Sequence, residues 1–263
     1  MQSRKPGDTM QFMKQHLYIL SGASRGMGLA MARQLLMPGH TLLCISRTDQ
    51  PALLDAAQAA GAILLQWRHD LADSGPLYSR LEKWLCDQQA TCWTSATLIN
   101  NAGVIANIGP LSNVSPVDLA QALRVGLEAP MVLTAAFLRA TQDWSGERKV
   151  LNISSGLGRK PMASQAAYCA AKAGMDHFSR CLALEEAHKP GGAKVCSLAP
   201  GVIDTDMQRQ LRSADMADFP DRNSFEQLST GGHLTSPGEA AHRVLAYLGR
   251  PDFGTQAVSD VRS

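Results

Sequence analysis

The chain predicts an α/β fold: a single domain built on a doubly wound parallel sheet flanked by helices. Three observations lead there. Short apolar runs alternate with helical stretches along most of the chain, the order that a parallel sheet with helical crossovers demands. The first apolar run ends in a glycine-rich turn, Ser21-Gly-Ala-Ser-Arg-Gly-Met-Gly28, which opens into a helix. A third landmark lies past the middle, where Ser155 stands thirteen residues before Tyr168 and Lys172 follows that tyrosine at i+4.

Composition is compatible with this and narrows the function. A chain of 263 residues with 45% hydrophobic and 18% charged residues is long enough to bury a large core. A formal net charge of +2 makes no electrostatic case for nucleic acid or an anionic membrane as a partner. The six cysteines (Cys44, Cys86, Cys92, Cys169, Cys181 and Cys196) form no Cys-x-x-Cys pair and no cluster with histidine, so no metal site is expected. Free cysteines inside predicted strands and helices suit a reduced, cytoplasmic setting. Residues 1–13 are polar and read as a flexible extension without a signal-peptide core, and no run of about eighteen apolar residues exists to span a membrane. The domain is expected to run from residue 14 to residue 263.

In chain order, His16 to Leu20 is the first strand and Leu29 to Met37 the first helix, stopped by Pro38-Gly39. The turn between them has the spacing Gly-x-x-x-Gly-x-Gly. Between a strand and a helix, such glycines let backbone N–H groups approach a pyrophosphate at the helix N-terminus, which makes the fold Rossmann-like. Gly22, Ser24, Arg25, Gly26, Met27 and Gly28 are the expected contacts. Thr41 to Ile45 is the second strand. Where an NAD site would place an acid for the ribose 2′-hydroxyl, this chain has Ser46-Arg47. A guanidinium cannot accept that hydrogen bond but suits a 2′-phosphate, and Arg25 offers a second cation. Two solvated surface arginines would read the same way; their joint placement, with no acid at the strand end, points to NADPH/NADP+ rather than NADH.

Pro51 to Ala60 reads as a helix, Ile63 to Trp67 as a strand, Gly75 to Cys86 as a helix and Ala96 to Ile99 as a strand. Pro116 to Ala140 is a long helical stretch interrupted by Gly126 and Pro130. Val150 to Ile153 is a strand, Gln165 to about His188 a long helix, and Ala193 to Leu198 a strand. Residues 207 to 235 look irregular, and a loop of that length in a compact domain is usually a lid or binding segment. The substrate loop is placed at about 203–235, with Met162, Met207, Met216, Phe219 and Phe225 as candidate substrate contacts or ordinary packing. Pro237 to Leu248 is a last helix and Thr255 to Val258 an edge strand.

On a helix, Tyr168 and Lys172 share one face, so hydroxyl and ammonium can enter one pocket, with Ser155 arriving from a strand end. A surface tyrosine lying along a lysine stem has the same spacing. A free phenol titrates near ~10, and a nearby cation favours its ionised form. This serine, tyrosine and lysine set, with the glycine turn and Asn100-Asn-Ala-Gly103, resembles the classical short-chain dehydrogenase/reductases over about residues 14–260. The stretches Ala129-Pro-Met-Val-Leu-Thr134 and Pro200-Gly-Val-Ile-Asp-Thr-Asp206 resemble the branch holding sepiapterin and benzil reductases.

The resemblance implies Ser155, Tyr168 and Lys172 as catalytic residues, with Tyr168 and Lys172 also meeting the cofactor. It implies an adenine pocket at Asp70 and Leu71, backbone against the cofactor at Asn101, Ala102 and Gly103, and nicotinamide contacts from Pro200, Gly201, Val202 and Thr205. The implied activity is NADPH-dependent reduction of a ketone or aldehyde, aromatic or dicarbonyl substrates included, in a homodimer or homotetramer. The family's helical Val-Asn-Leu, whose asparagine relays protons, here reads Val125-Gly126-Leu127. A helix bend that frees a backbone carbonyl could hold the same water. Two alternatives stand beside this reading: an alcohol dehydrogenase working in the oxidative direction, and an NADPH-binding sensor with little catalysis.

Overall fold

A computed structural model describes residues 15–263; the extension expected over residues 1–13 lies outside them. Seven strands in the described residues form one sheet in the order β3-β2-β1-β4-β5-β6-β7, and each neighbouring pair is parallel. They are β1 (Gln15–Ser21), β2 (His40–Ser46), β3 (Ile63–Arg68), β4 (Trp93–Asn100), β5 (Glu147–Ile153), β6 (Lys194–Ala199) and β7 (Val258–Asp260). The central strands are continuous apolar runs: Leu17, Ile19, Leu20, Leu42, Leu43 and Ile45 are all fully buried. Burial on both faces of a parallel sheet selects such runs instead of alternation.

The connecting helices divide between the two faces. α1 (Gly26–Leu35), α2 (Pro51–Ala60) and the late α9 (Pro237–Leu248) pack Met31, Leu53, Val244 and Leu248 on one side. α3 (Ser74–Cys86), α5 (Ala129–Ala140) and α6 (Ala166–Ala187) pack Leu77, Leu81, Phe137 and Leu182 on the other. Local chemistry sets the helix ends. Pro51 sits in the first turn of α2, and Gly61 closes it at φ 65°. Ser236 caps α9 by accepting from the Glu239 amide at 3.2 Å, the two residues spaced as in a capping box.

Strand order reverses between β1 and β4, so the cleft beyond their carboxyl ends is where such sheets take ligands. Ser21 fixes this edge: its hydroxyl accepts from the amides of Asn101 (3.0 Å) and Ala102 (3.2 Å). The Asn101 side chain donates back to the carbonyls of Ser21 (3.0 Å) and Gly22 (3.2 Å). Asn100 donates to Asn152 at 2.8 Å, and Asn152 to Ser179 at 2.8 Å, tying β4 to β5 and β5 to α6.

Two expectations need correction, and a third gains detail. The segment 207–235 is not irregular: α7 (Asp206–Ser213) and α8 (Arg222–Thr230) lie within it. Their apolar faces are too short to show through a polar sequence, yet Leu211, Phe219 and Phe225 close a small core of their own. The last strand is Val258–Asp260 instead of Thr255–Val258, because turns fill residues 251–257 and Ser197 pairs with Val258. The stretch 116–140 is helical throughout and, as expected, imperfect around Gly126 and Pro130. It is α4 (Pro116–Leu123), a π-helical turn over Arg124–Glu128, then α5. Pro130 explains the break: it has no N–H for the Gly126 carbonyl four residues back, and its ring would crowd that carbonyl. The widened turn relieves the clash, and the Ala129 amide bonds Arg124 instead.

Candidate active site

One cleft of about 510 Å³ runs along the carboxyl ends of the strands, and every residue singled out above as catalytic or cofactor-binding lines it. Its floor at the β1–α1 turn has no room for a side chain at Gly22 or Gly28. Gly22 has φ 72°, and a Cβ on Gly28 would stand 2.0 Å from the Gly22 carbonyl oxygen. Two backbone segments therefore cross at a separation only glycine allows, leaving the first-turn amides of α1 facing the cleft. A pyrophosphate fits such a surface, with the positive end of the helix dipole behind it.

At the end of the cleft beyond β2 and β3, Arg47 is exposed on the wall it shares with Asp70 and Leu71, and makes no ion pair among the described residues. Arg25 is different: Asp206 at the start of α7 captures it at 3.0 Å, so it bridges the glycine turn to that helix. The pair is open to solvent, where such bridges contribute little and can exchange partners.

At the other end β5 delivers Ser155 and α6 delivers Tyr168 and Lys172 into the same space. The Ser155 hydroxyl caps the following 3-10 turn, accepting from the Leu157 amide at 3.1 Å. The Lys172 ammonium is buried, donates to the Ile153 carbonyl at 2.7 Å and lies 5.7 Å from the centre of the Tyr168 ring. Burial pulls the Lys172 pKa from 10.5 to about 8, with Asp176 opposing the fall. The tyrosine departs from the simple expectation of a phenol tuned downward. Burial holds its pKa above the ordinary 10.0, and a hydrogen bond with Ser155 offsets only part of that.

Gly126 comes within reach of this group. It is buried, and a Cβ there would lie 3.1 Å from the Cβ of Ala171, the residue before Lys172. Of the apolar candidates, Met162, Met207 and Phe225 line the cleft, joined by Ile105, Leu211 and Leu228. Met216 and Phe219 do not: the first is 47% exposed, and the second is sealed against Phe225. Sequence reasoning missed Gln208, Asp260 and Arg262, which also line the cleft. Asp260 and Arg262 arrive only because β7 docks beside β6, with Arg262 holding the Asp260 carboxyl below its usual range. Gln208 looks like a surface residue in a polar helix, and no sequence signal marks it.

A model of the short chain dehydrogenase family matches residues 17–216. The chain belongs to that family. Benzil reductase ((S)-benzoin forming) of Bacillus cereus is 34% identical over 235 residues, covering 89% of this chain and 94% of its own. Sepiapterin reductase of Meriones unguiculatus is 33% identical over 252 residues, with coverage of 92% and 94%. Among solved structures, a short-chain dehydrogenase/reductase from Burkholderia vietnamiensis is 30% identical with a TM-score of 0.62, covering 95% of this chain and 98% of that one. Short-chain dehydrogenases are oxidoreductases that use a nicotinamide cofactor, and the cleft has the cradle for one.

Proposed function

We propose that this chain is an NADPH-dependent carbonyl reductase that turns a ketone, aromatic or dicarbonyl in type, into an alcohol. The observation that carries the reading is the convergence of Ser155, Tyr168 and Lys172 at the apolar end of the cleft. When bound, the dihydronicotinamide supplies the hydride. The protein orients the carbonyl and manages the proton. Ser155 donates a hydrogen bond to the carbonyl oxygen, where negative charge grows. Tyr168 is the general acid that protonates the developing alkoxide; a phenol held above its ordinary pKa stays protonated near neutrality and keeps that proton to give. Lys172, anchored on Ile153, sets a positive charge beside the phenol and the cofactor ribose.

Met162, Met207, Leu211, Phe225 and Leu228 give the substrate end an apolar lining suited to an aromatic ketone, in line with the benzil reductase relationship. The domain extends over 14–263, and the substrate segment at about 203–235 is the pair α7 and α8 with their flanks. NADPH consumption over a panel of aromatic ketones, 1,2-diketones and aldehydes tests the reading. Turnover of at least one diketone is expected; NADPH binding without consumption of any member would refute it.

Cofactor choice is a separate expectation. With Arg47 outside any ion pair among the described residues and no acid at the end of β2, NADPH is expected to bind at least about tenfold more tightly than NADH, or about 1.4 kcal/mol. Arg47→Asp should abolish or invert that preference in titrations followed by cofactor fluorescence. Equal dissociation constants for the parent protein would exclude a 2′-phosphate site.

A further inference from the structure

Four residues of the inward face of α6 stitch the helix to the carboxyl end of β5 and the turn after it. Ser179 accepts from Asn152 at 2.8 Å, Lys172 donates to the Ile153 carbonyl at 2.7 Å, and Tyr168 meets Ser155. The fourth is Asp176, one turn beyond Lys172 and 1% exposed, which no part of the mechanism above uses. Its Oδ1 accepts from Ser154 at 2.5 Å and from Ser197 of β6 at 2.7 Å, and its Oδ2 accepts from the Arg159 Nε at 3.2 Å. Three donors converging on one buried side chain describe an acceptor-only group, an ionised carboxylate. Such a group is costly inside a protein unless its lone pairs are met, and here they are.

The surroundings are built around it. A Cβ on Gly158 would meet the Lys172 carbonyl at 2.9 Å and the Asp176 Oδ2 at 3.1 Å, so the turn after β5 is pressed against α6 as closely as glycine permits. That approach brings Arg159 onto the carboxylate, and the Arg159 Nη2 reaches on to the Ser259 carbonyl of β7 at 3.0 Å. The ionisable groups around the pair are Tyr168 and Cys169 on α6, Arg159 from the turn, and Cys196 of β6 with Tyr247 of α9 behind it. Arg159 is half-exposed and divided between two acceptors, and the Cys196 thiol is pushed up to about 11 and stays neutral. Asp176 is ion-paired with Arg159 and stands one turn along α6 from the buried Lys172, whose pKa its charge holds up against the pull of burial.

We propose that Asp176 is a positioning residue acting through Lys172: its anchored carboxylate keeps the ammonium charged and seated on Ile153, next to the Ser154-Ser155 corner. The inference rests on the reductase reading for its consequence in catalysis, but not for its test. Lysine labelled with carbon-13 at Cε gives a direct titration of Lys172 in the cofactor-free protein, its signal assigned by its absence in Lys172→Met. In the parent protein the midpoint is expected at about 8. Asp176→Asn keeps the shape and removes the charge, and should lower the midpoint by about one unit, the usual effect of one adjacent charge. Arg159→Gln, at a half-exposed site, removes the competing cation and should raise it; it decides the matter alone if Asp176→Asn does not fold. A midpoint unmoved by these changes would overturn the proposal and leave Asp176 a purely structural anchor. In the reductase assay, the alkaline limb of kcat/KM for Asp176→Asn should move down with the midpoint, whereas a merely structural loss would lower activity equally at every pH. Absence of any carbonyl turnover by the parent would sink the reductase reading and leave the titration result standing.

Discussion

Tyr168→Phe is expected to reduce carbonyl turnover by about 10²–10⁴-fold, the range general acid catalysis contributes. The substitution removes one oxygen from a ring that remains in place, so the melting temperature and NADPH affinity should stay near those of the parent. The other two polar groups of the trio are engaged elsewhere. Ser155 is a hydroxyl spent on positioning and on capping the turn at Leu157. Lys172 is held at the Ile153 carbonyl and faces the tyrosine ring from 5.7 Å. The pH dependence has a definite sign. Reduction needs Tyr168 protonated and Lys172 charged; burial raises the first pKa and lowers the second to about 8. Activity should therefore hold near neutrality and fall as pH climbs through about 8, lysine losing its proton first. Stopped-flow single turnovers of parent and variant measure both effects. Near-normal reduction by Tyr168→Phe would place the proton donor elsewhere.

Legibility in the sequence follows how local each signal is. The sheet was readable because strands buried on both faces leave runs such as Thr41 to Ile45, and because helices between them carry proline and glycine at their ends. The glycine turn and the Tyr168–Lys172 pair were readable because their geometry is set within one turn or one helix. Ser155 joined them because a strand end and the following helix are close in sequence. What remained hidden depended on distant contacts. Asp260 enters the cleft through the pairing of Ala199 with Asp260, across some sixty residues of chain. Asp176 reads as a polar residue in a helix until Ser154, Ser197 and Arg159 close around it. Arg25 reads as a free cation until Asp206 meets it from α7. In α7 and α8 the apolar faces are only two or three residues wide, too few to stand out from Gln, Arg and Ser in a linear pattern.

The second large effect is expected at Gly126, where the family pattern places asparagine. Two physical accounts compete for this glycine. In one, the π turn over Arg124–Glu128 leaves a carbonyl to hold a water, and an asparagine would merely restore a side-chain anchor. In the other, glycine permits a close approach between the turn and α6. The packing favours the second, since a Cβ would come within 3.1 Å of the Ala171 Cβ, on a buried helix face. Pro130, with no N–H to offer the Gly126 carbonyl, leaves that oxygen open to a water and so speaks for the first account, but it does nothing to lengthen the contact with Ala171. Gly126→Asn should thus overpack and destabilise by about 1–3 kcal/mol, more than the few tenths asparagine gains over glycine in helix propensity. In a chain of this size that lowers the melting temperature by about 2–4 °C for each kcal/mol. Because Ala171 precedes Lys172, the displacement should also disturb the ammonium and reduce kcat. Gly126→Ala carries the same Cβ without the amide, so a similar loss there would assign the effect to the contact. An unchanged melting temperature for Gly126→Asn, with activity within about tenfold of the parent, would show that the neighbour yields and return the argument to the water-holding carbonyl.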